Sequence, residues 1–140
     1  MAFYVFDLDG TLADCAHRLP YLEMKDWRGF FAACPDDTPI WPTLGILRAL
    51  HESGNRIEIW SGRSDEVRLE TEDWLIRHGV PQTVKLLMRT AGDKRPDDEV
   101  KREFLWGGGL PDVIFDDRSR VVSMWRSEGI PCFQVAPGDF

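Results

Sequence analysis

The chain has 140 residues, 43% of them hydrophobic, which argues against disorder and suits one domain (residues 1–140) that buries roughly 68% of its unfolded surface. A net charge of −7 argues against tight, nonspecific binding to duplex nucleic acid, yet leaves room for a small cationic pocket around one terminal phosphate. The three cysteines (Cys15, Cys34, Cys132) have neither disulfide-framework nor zinc spacing, and no apolar run approaches ~18 residues. A reduced, cytoplasmic setting with no signal peptide and no membrane partner is expected.

Phe3–Asp7 reads as a first strand, and Asp7-Leu8-Asp9-Gly10-Thr11-Leu12 stands at its end. Residues 13–41 then break the pattern: Asp14–Pro20 is polar and irregular, Glu23–Phe31 reads as a short helix, and Cys34–Pro42 as a Pro-rich loop. We read this segment as an insertion that hangs over the first strand's end. Thr43–Ser53 carries Leu44, Leu47 and Leu50 at helical spacing and stops at Gly54. Arg56–Ser61 alternates as a second strand. Ser64 can cap the next helix, whose stripe is Val67, Thr71, Trp74 and Leu75. Val84–Met88 is a third strand, and a helix begins at Pro96 with Val100, Phe104 and Leu105 facing the core. Asp112–Asp116, a helix over Ser119–Glu128, and Cys132–Val135 complete the series.

Alternating strands and helices predict an α/β, Rossmann-like parallel sheet with helices on both faces. Ligands of such sheets bind at the carboxyl ends of the strands. Asp7/Asp9, Ser61-Gly62-Arg63 and Asp116-Asp117 all fall there.

Asp7 and Asp9 leave the first strand on the same side, where two carboxylates repel unless a cation or a shared proton relieves them. Gly10 permits a sharp turn, and Thr11 adds a hydroxyl. Ser61 and Arg63 suit an oxyanion, although a Ser/Gly turn with a solvated Arg would look the same. Asp97 and Lys101 share a helix face, as a surface ion pair would; Lys101 gains importance if it balances a phosphoryl group between Asp7 and Ser61. Asp116-Asp117 reads as part of a hard-cation site, because only oxygen donors gather there. By spacing alone, Arg18 is a solvated loop arginine. His17, His51 and His78 have no mutual metal or triad spacing, and no P-loop occurs.

Together these residues resemble the haloacid-dehalogenase phosphohydrolase superfamily: DxDGT after strand one, Ser after strand two, Lys on a later helix, and paired Asp after strand four. Within it the chain is similar to the 3′-phosphatase domain of phage-type polynucleotide kinase-phosphatase. The shared segments are Asp7–Ala13, Ser61–Arg63, Asp97–Lys101, and the tail from Asp116 to Phe140. The resemblance implies Asp7 as nucleophile and Asp9 as general acid, then base. It implies Mg²⁺ held by Asp7, the Asp9 carbonyl and Asp116, with Asp117 supporting. Thr11, Arg18, Ser61, Arg63 and Lys101 would bind the substrate phosphate, with Arg18 and Arg63 also as catalytic arginines and Asp97 orienting Lys101. Arg18 is thereby raised from solvated to catalytic. Residues 19–42 match poorly, Pro96 replaces a basic position, and the kinase half is missing.

The expected activity is Mg²⁺-dependent removal of a 3′-phosphate from DNA or RNA ends through an aspartyl-phosphate, with an acidic to neutral optimum. A nucleotidase on free mononucleotides is the alternative, and a noncatalytic binding module a third reading. The excess of Trp reads either as core or as a dimer face; the core reading is preferred and agrees with a monomer, while the sequence does not fix the oligomeric state.

Overall fold

Apolar side chains on both faces of the first strand put it at the centre of a sheet. In the computed structural model, which describes residues 1–140, β1 (Phe3–Phe6) turns Phe3 and Val5 to one core and Phe6 to the other. Two two-residue strands, β2 (Ala13–Asp14) and β3 (Thr38–Pro39), follow. The main sheet is completed by β4 (Arg56–Ser64), β5 (Lys85–Arg89), β6 (Val113–Asp116) and β7 (Cys132–Gln134). All pairs in it are parallel, in the order β5-β4-β1-β6-β7. This is the expected α/β architecture.

The helices are α1 (Leu19–Glu23), α2 (Trp27–Ala32), α3 (Trp41–Glu52), α4 (Arg68–Arg77), α5 (Asp97–Phe104) and α6 (Ser119–Ser127). Leu44 and Leu47 of α3, with Trp74 and Leu75 of α4, cover one face. Val121, Val122, Met124 and Trp125 of α6 cover the other, with Phe104 against them. No helix is long and apolar enough to cross a membrane.

The insertion departs from expectation. The single helix expected over Glu23–Phe31 is instead two, α1 and α2, broken at Met24-Lys25-Asp26. Lys25 takes a left-handed φ of 55°, and the Asp26 side chain caps α2 by accepting from Gly29 N at 2.9 Å. The expected loop over Cys34–Pro42 contains a 3-10 turn at Cys34–Asp36, then β3, which pairs antiparallel with β2. Trp41 already opens α3, with Pro42 in its first turn. Elsewhere the predicted bounds move by three residues at most. The largest change is in β4, which runs on to Ser64 with a register shift against β5 between Trp60 and Ser64. Such bulges re-aim side chains beside functional sites.

All three thiols are free. Burial pushes Cys15 and Cys132 up to about 12, and raises Cys34 as well. At pH 8 the thiolate of a group titrating near 12 is about one part in 10⁴. Iodoacetamide at pH 8 is therefore expected to leave the native protein unlabelled over minutes that label the urea-unfolded chain fully. Fast native labelling of Cys132, read by mass spectrometry, would contradict this.

Candidate active site

Adjacent strands bring the first carboxylates together. The rings of Phe6 and Phe115 stack at 4.4 Å across β1 and β6, and the residues that follow them are Asp7 and Asp116. Asp7 N donates to Phe115 O at 2.8 Å, so the ladder runs on into the site. Leu8 then turns the chain, its carbonyl accepting from the N–H groups of Thr11, Leu12 and Ala13. Gly10 in that turn has φ of 85°, and a Cβ there would lie 2.0 Å from Asp117 Oδ2. Only glycine lets the turn approach Asp117.

Lys101, from α5, is 2% exposed and reaches into this cluster. Its ammonium donates to Asp7 Oδ1 at 2.6 Å and Asp116 Oδ2 at 3.1 Å. Thr11 Oγ1 donates to Asp7 Oδ2 at 3.0 Å, so its hydroxyl is spent on the carboxylate. Asp116 Oδ1 accepts from the N–H of Asp117 at 2.8 Å and of Arg118 at 3.3 Å. Burial, together with the charge of Asp116, pushes the Asp7 carboxyl well above its ordinary range, against the pull of Lys101. Burial likewise raises Asp117. Lys101 is held charged by Asp116 and Asp7, whose attraction outweighs its burial.

A second constellation surrounds Asp9, whose side chain is 24% exposed. Arg18 Nη2 and Arg63 Nη2 both donate to Asp9 Oδ1, at 2.8 and 2.5 Å. Burial pushes the Asp9 carboxyl up, but Arg63 and Arg18 outweigh it and hold it below the usual carboxylate range. Both arginines are buried. Arg18 is therefore no solvated loop residue, and its spacing-based reading is corrected: its guanidinium lies 4.5 Å from the Phe30 ring centroid. Arg63 Nη1 donates to Thr71 at 3.0 Å, while Arg63 Nε is buried and unpartnered.

The bulge in β4 sets Ser61. Its Oγ accepts from Arg63 N at 3.0 Å, which leaves its own proton free to donate. Asp97 and Lys101 do not form the surface ion pair that their spacing alone would allow. Asp97 Oδ1 takes Arg89 Nη2 at 2.5 Å and Oδ2 takes Arg118 at 3.4 Å, because two guanidinium groups outreach one ammonium already bound elsewhere. Arg89 Nε also donates to Gly62 O at 2.7 Å, which ties the Ser61 loop to the start of α5. Sequence reasoning missed Arg89, and it missed Asp37, which lies buried behind both arginines.

The tail closes the site from below. Gln134 Nε2 donates to Asp117 O at 2.9 Å, and Ser119 N donates to Gly138 O at 2.8 Å. A Cβ on Gly138 would meet Asp117 O at 1.9 Å, a backbone atom that cannot turn away. Gly138→Ala is expected to cost about 1–3 kcal/mol, as overpacking does. A thermal melt unchanged from wild type would count against this contact.

The family model of the polynucleotide kinase PNKP phosphatase domain, of haloacid-dehalogenase type, matches residues 1–140. The chain belongs to that family. It is accordingly a phosphatase, a hydrolase of the haloacid-dehalogenase type. Chains from two solved structures, of the Pnkp1/Rnl/Hen1 RNA repair complex and the Pnkp1/Rnl/Hen1 complex, match at 32% identity with TM-scores of 0.86 and 0.84. Each match covers 100% of this chain, but 44% and 48% of the other, so this chain spans about half the length of those relatives. A class C acid phosphatase from Bacillus anthracis shares the fold, at 18% identity and TM-score 0.68 over 99% of this chain and 67% of that one.

The charges of this phosphatase separate into two groups. Around Asp9, the two arginines are matched by the carboxylates of Asp9 and Asp37. In the inner cluster, Asp7, Asp116 and Asp117 offer oxygen atoms within 4.8 Å of one another and face the single ammonium of Lys101. That leaves the inner cluster short of two positive charges when all three ionise. An all-oxygen donor set with this deficit fits a hard divalent cation.

Proposed function

We propose that this chain is a Mg²⁺-dependent phosphomonoesterase that removes the 3′-phosphate from DNA or RNA ends through a phosphorylated Asp7. The observation that carries the reading is the inner cluster, in which three buried carboxylates at the strand ends share one ammonium. Residues 1–140 act as one phosphatase unit, with 13–41 as a cap. Asp7, Asp116 and the Asp9 carbonyl would hold the Mg²⁺, with Asp117 supporting. The ion supplies charge neutralisation when one anion attacks another.

Asp7 attacks phosphorus, and the bond from phosphorus to the 3′ oxygen breaks. Asp9 gives its proton to that oxygen. A water then attacks the phosphorus of the phosphorylated Asp7, Asp9 takes the water's proton, and inorganic phosphate leaves. Ser61 donates its free proton to the transferred group, and Lys101 balances the group's charge. Thr11 orients Asp7. Before substrate binds, the arginines keep Asp9 ionised. An incoming phosphate, with about two negative charges, raises the Asp9 carboxyl and lets it take up the proton it must donate.

The family and the 32% identical chains of the RNA repair complex support nucleic-acid ends as substrate and repair as the setting. The net charge of −7 favours a small substrate over a long strand, so a nucleotidase is the second reading. Both are tested by supplying Mg²⁺ with 3′-phosphorylated DNA, 3′-phosphorylated RNA, a 5′-phosphorylated oligonucleotide and a 3′-mononucleotide. Phosphate release from the 3′ ends and none from the 5′ end is expected. Inactivity on every 3′ end overturns the reading, and a large preference for the mononucleotide replaces it with the second. Mg²⁺ is also expected to raise the melting temperature.

A further inference from the structure

Asp37 belongs to no motif, yet it organises the residues around Asp9. Its side chain is fully excluded from solvent. Oδ1 accepts from Arg18 Nε at 2.8 Å and lies 2.7 Å from His17 Nε2. Oδ2 accepts from Arg18 Nη2 at 2.7 Å and Arg63 Nη2 at 3.2 Å. Those two nitrogens are the same ones that donate to Asp9 Oδ1. One oxygen of Asp37 and one of Asp9 are therefore bridged by the same pair of guanidinium nitrogens.

The surroundings fix Asp37 in turn. Its main-chain carbonyl accepts from Trp74 Nε1 at 2.9 Å, and its N–H donates to Cys34 O at 3.1 Å. Arg18, besides lying against Phe30, donates to Phe30 O at 3.2 Å. A guanidinium gripped on two edges holds its remaining donors in one direction, because the fork is planar and rigid. Asp37 is buried too deeply to meet a substrate, so its influence passes through the arginines.

We propose that Asp37 is the positioning residue for proton transfer: by fixing Arg18 and Arg63 it aims the Asp9 carboxyl at the leaving oxygen. The inference rests on Asp9 as the proton donor. It gives the insertion a role beyond covering the site. Arg18 and Asp37 both come from residues 13–41, so half of the support for Asp9 is contributed by the cap.

The test uses leaving groups of different basicity. A 3′-phosphate end expels an alkoxide, which needs a proton. 4-Nitrophenyl phosphate expels a weakly basic phenolate, which leaves without one. The readout is kcat/KM, which reports only the steps through phosphorylation of Asp7 and so excludes the later hydrolysis common to both substrates. Asp37→Asn is expected to lower kcat/KM on a 3′-phosphorylated oligonucleotide about 10²-fold and on the aryl phosphate by no more than about 3-fold. Equal losses on both substrates, or no loss on either, overturn the proposal. If Asp37→Asn melts below the assay temperature, Asp37→Glu keeps the charge but shifts both arginines by one methylene, and it is judged by the same ratio. A wild-type protein inactive on both substrates would refute the phosphatase mechanism itself, not the part assigned to Asp37.

Discussion

Asp7→Asn is expected to lower phosphate release by about 10⁴-fold or more, with no loss of stability in the metal-free protein. The amide keeps one oxygen for Lys101 and can turn its NH2 to Thr11, whose hydroxyl can accept, but it cannot attack phosphorus as a carboxylate does. The stability half follows from the same cluster. Burial and Asp116 raise the Asp7 carboxyl, so the ionised form is disfavoured in the fold. A raised carboxyl contributes stability that is intact below its unfolded value, about 3.9, and is lost as pH climbs through the folded value. Asn escapes this loss. The variant should therefore match wild type below about pH 3.9 and gain on it as pH rises towards neutrality. Urea melts in EDTA across that range, beside a phosphate-release assay with Mg²⁺, check both halves. A variant that keeps a tenth of wild-type activity removes Asp7 from the role of nucleophile.

Lys101→Met is the second large effect, and it acts in the opposite direction on stability. It leaves Asp7, Asp116 and Asp117 together with no cation. Removing one partner of a buried charge pair costs about 3–5 kcal/mol, because the other charge is stranded. The metal-free variant should lose that much, and Mg²⁺ should restore part of it by filling the same deficit. Activity should fall about 10²–10³-fold, as it does when one preorganised charge at the reacting group is lost. Equilibrium unfolding with and without Mg²⁺ measures the first effect. A variant as stable as wild type in EDTA would mean that the ammonium is not what holds the carboxylates together.

The sheet and the strand-end carboxylates were legible because their signals are local. An apolar strand followed by Asp-Leu-Asp-Gly, or by Asp-Asp, needs only a few residues to be read. Arg18 was not legible by spacing: whether a loop arginine is solvated depends on Asp37 and Phe30, which only the fold brings to it. Asp37 itself sat in Cys34-Pro35-Asp36-Asp37-Thr38, where an Asp reads as a turn residue. The available signal was indirect, since two arginines assigned to one site call for a buried counterion near them. Asp97 misled for the converse reason. Its helix spacing to Lys101 was right, but Arg89 and Arg118 arrive from other elements and take its carboxylate. The split of the insertion into α1 and α2, and its β2–β3 ribbon, turned on a left-handed Lys25 and a two-residue pairing, neither of which leaves a periodic pattern.

The central place of β1 has a consequence for synthesis on the ribosome. β1 leaves the exit tunnel before either neighbour, yet it pairs with β4, which starts at Arg56, and with β6, which starts at Val113. A nascent chain that stops short of Val113 has one edge of its most apolar strand unpaired, and Lys101 reaches Asp7 across 94 positions of chain. Contacts of such separation form late and slowly. Truncated products of this chain should therefore be sticky and inactive together, and pauses in translation between residues 64 and 113 should be the ones that cells must guard with chaperones.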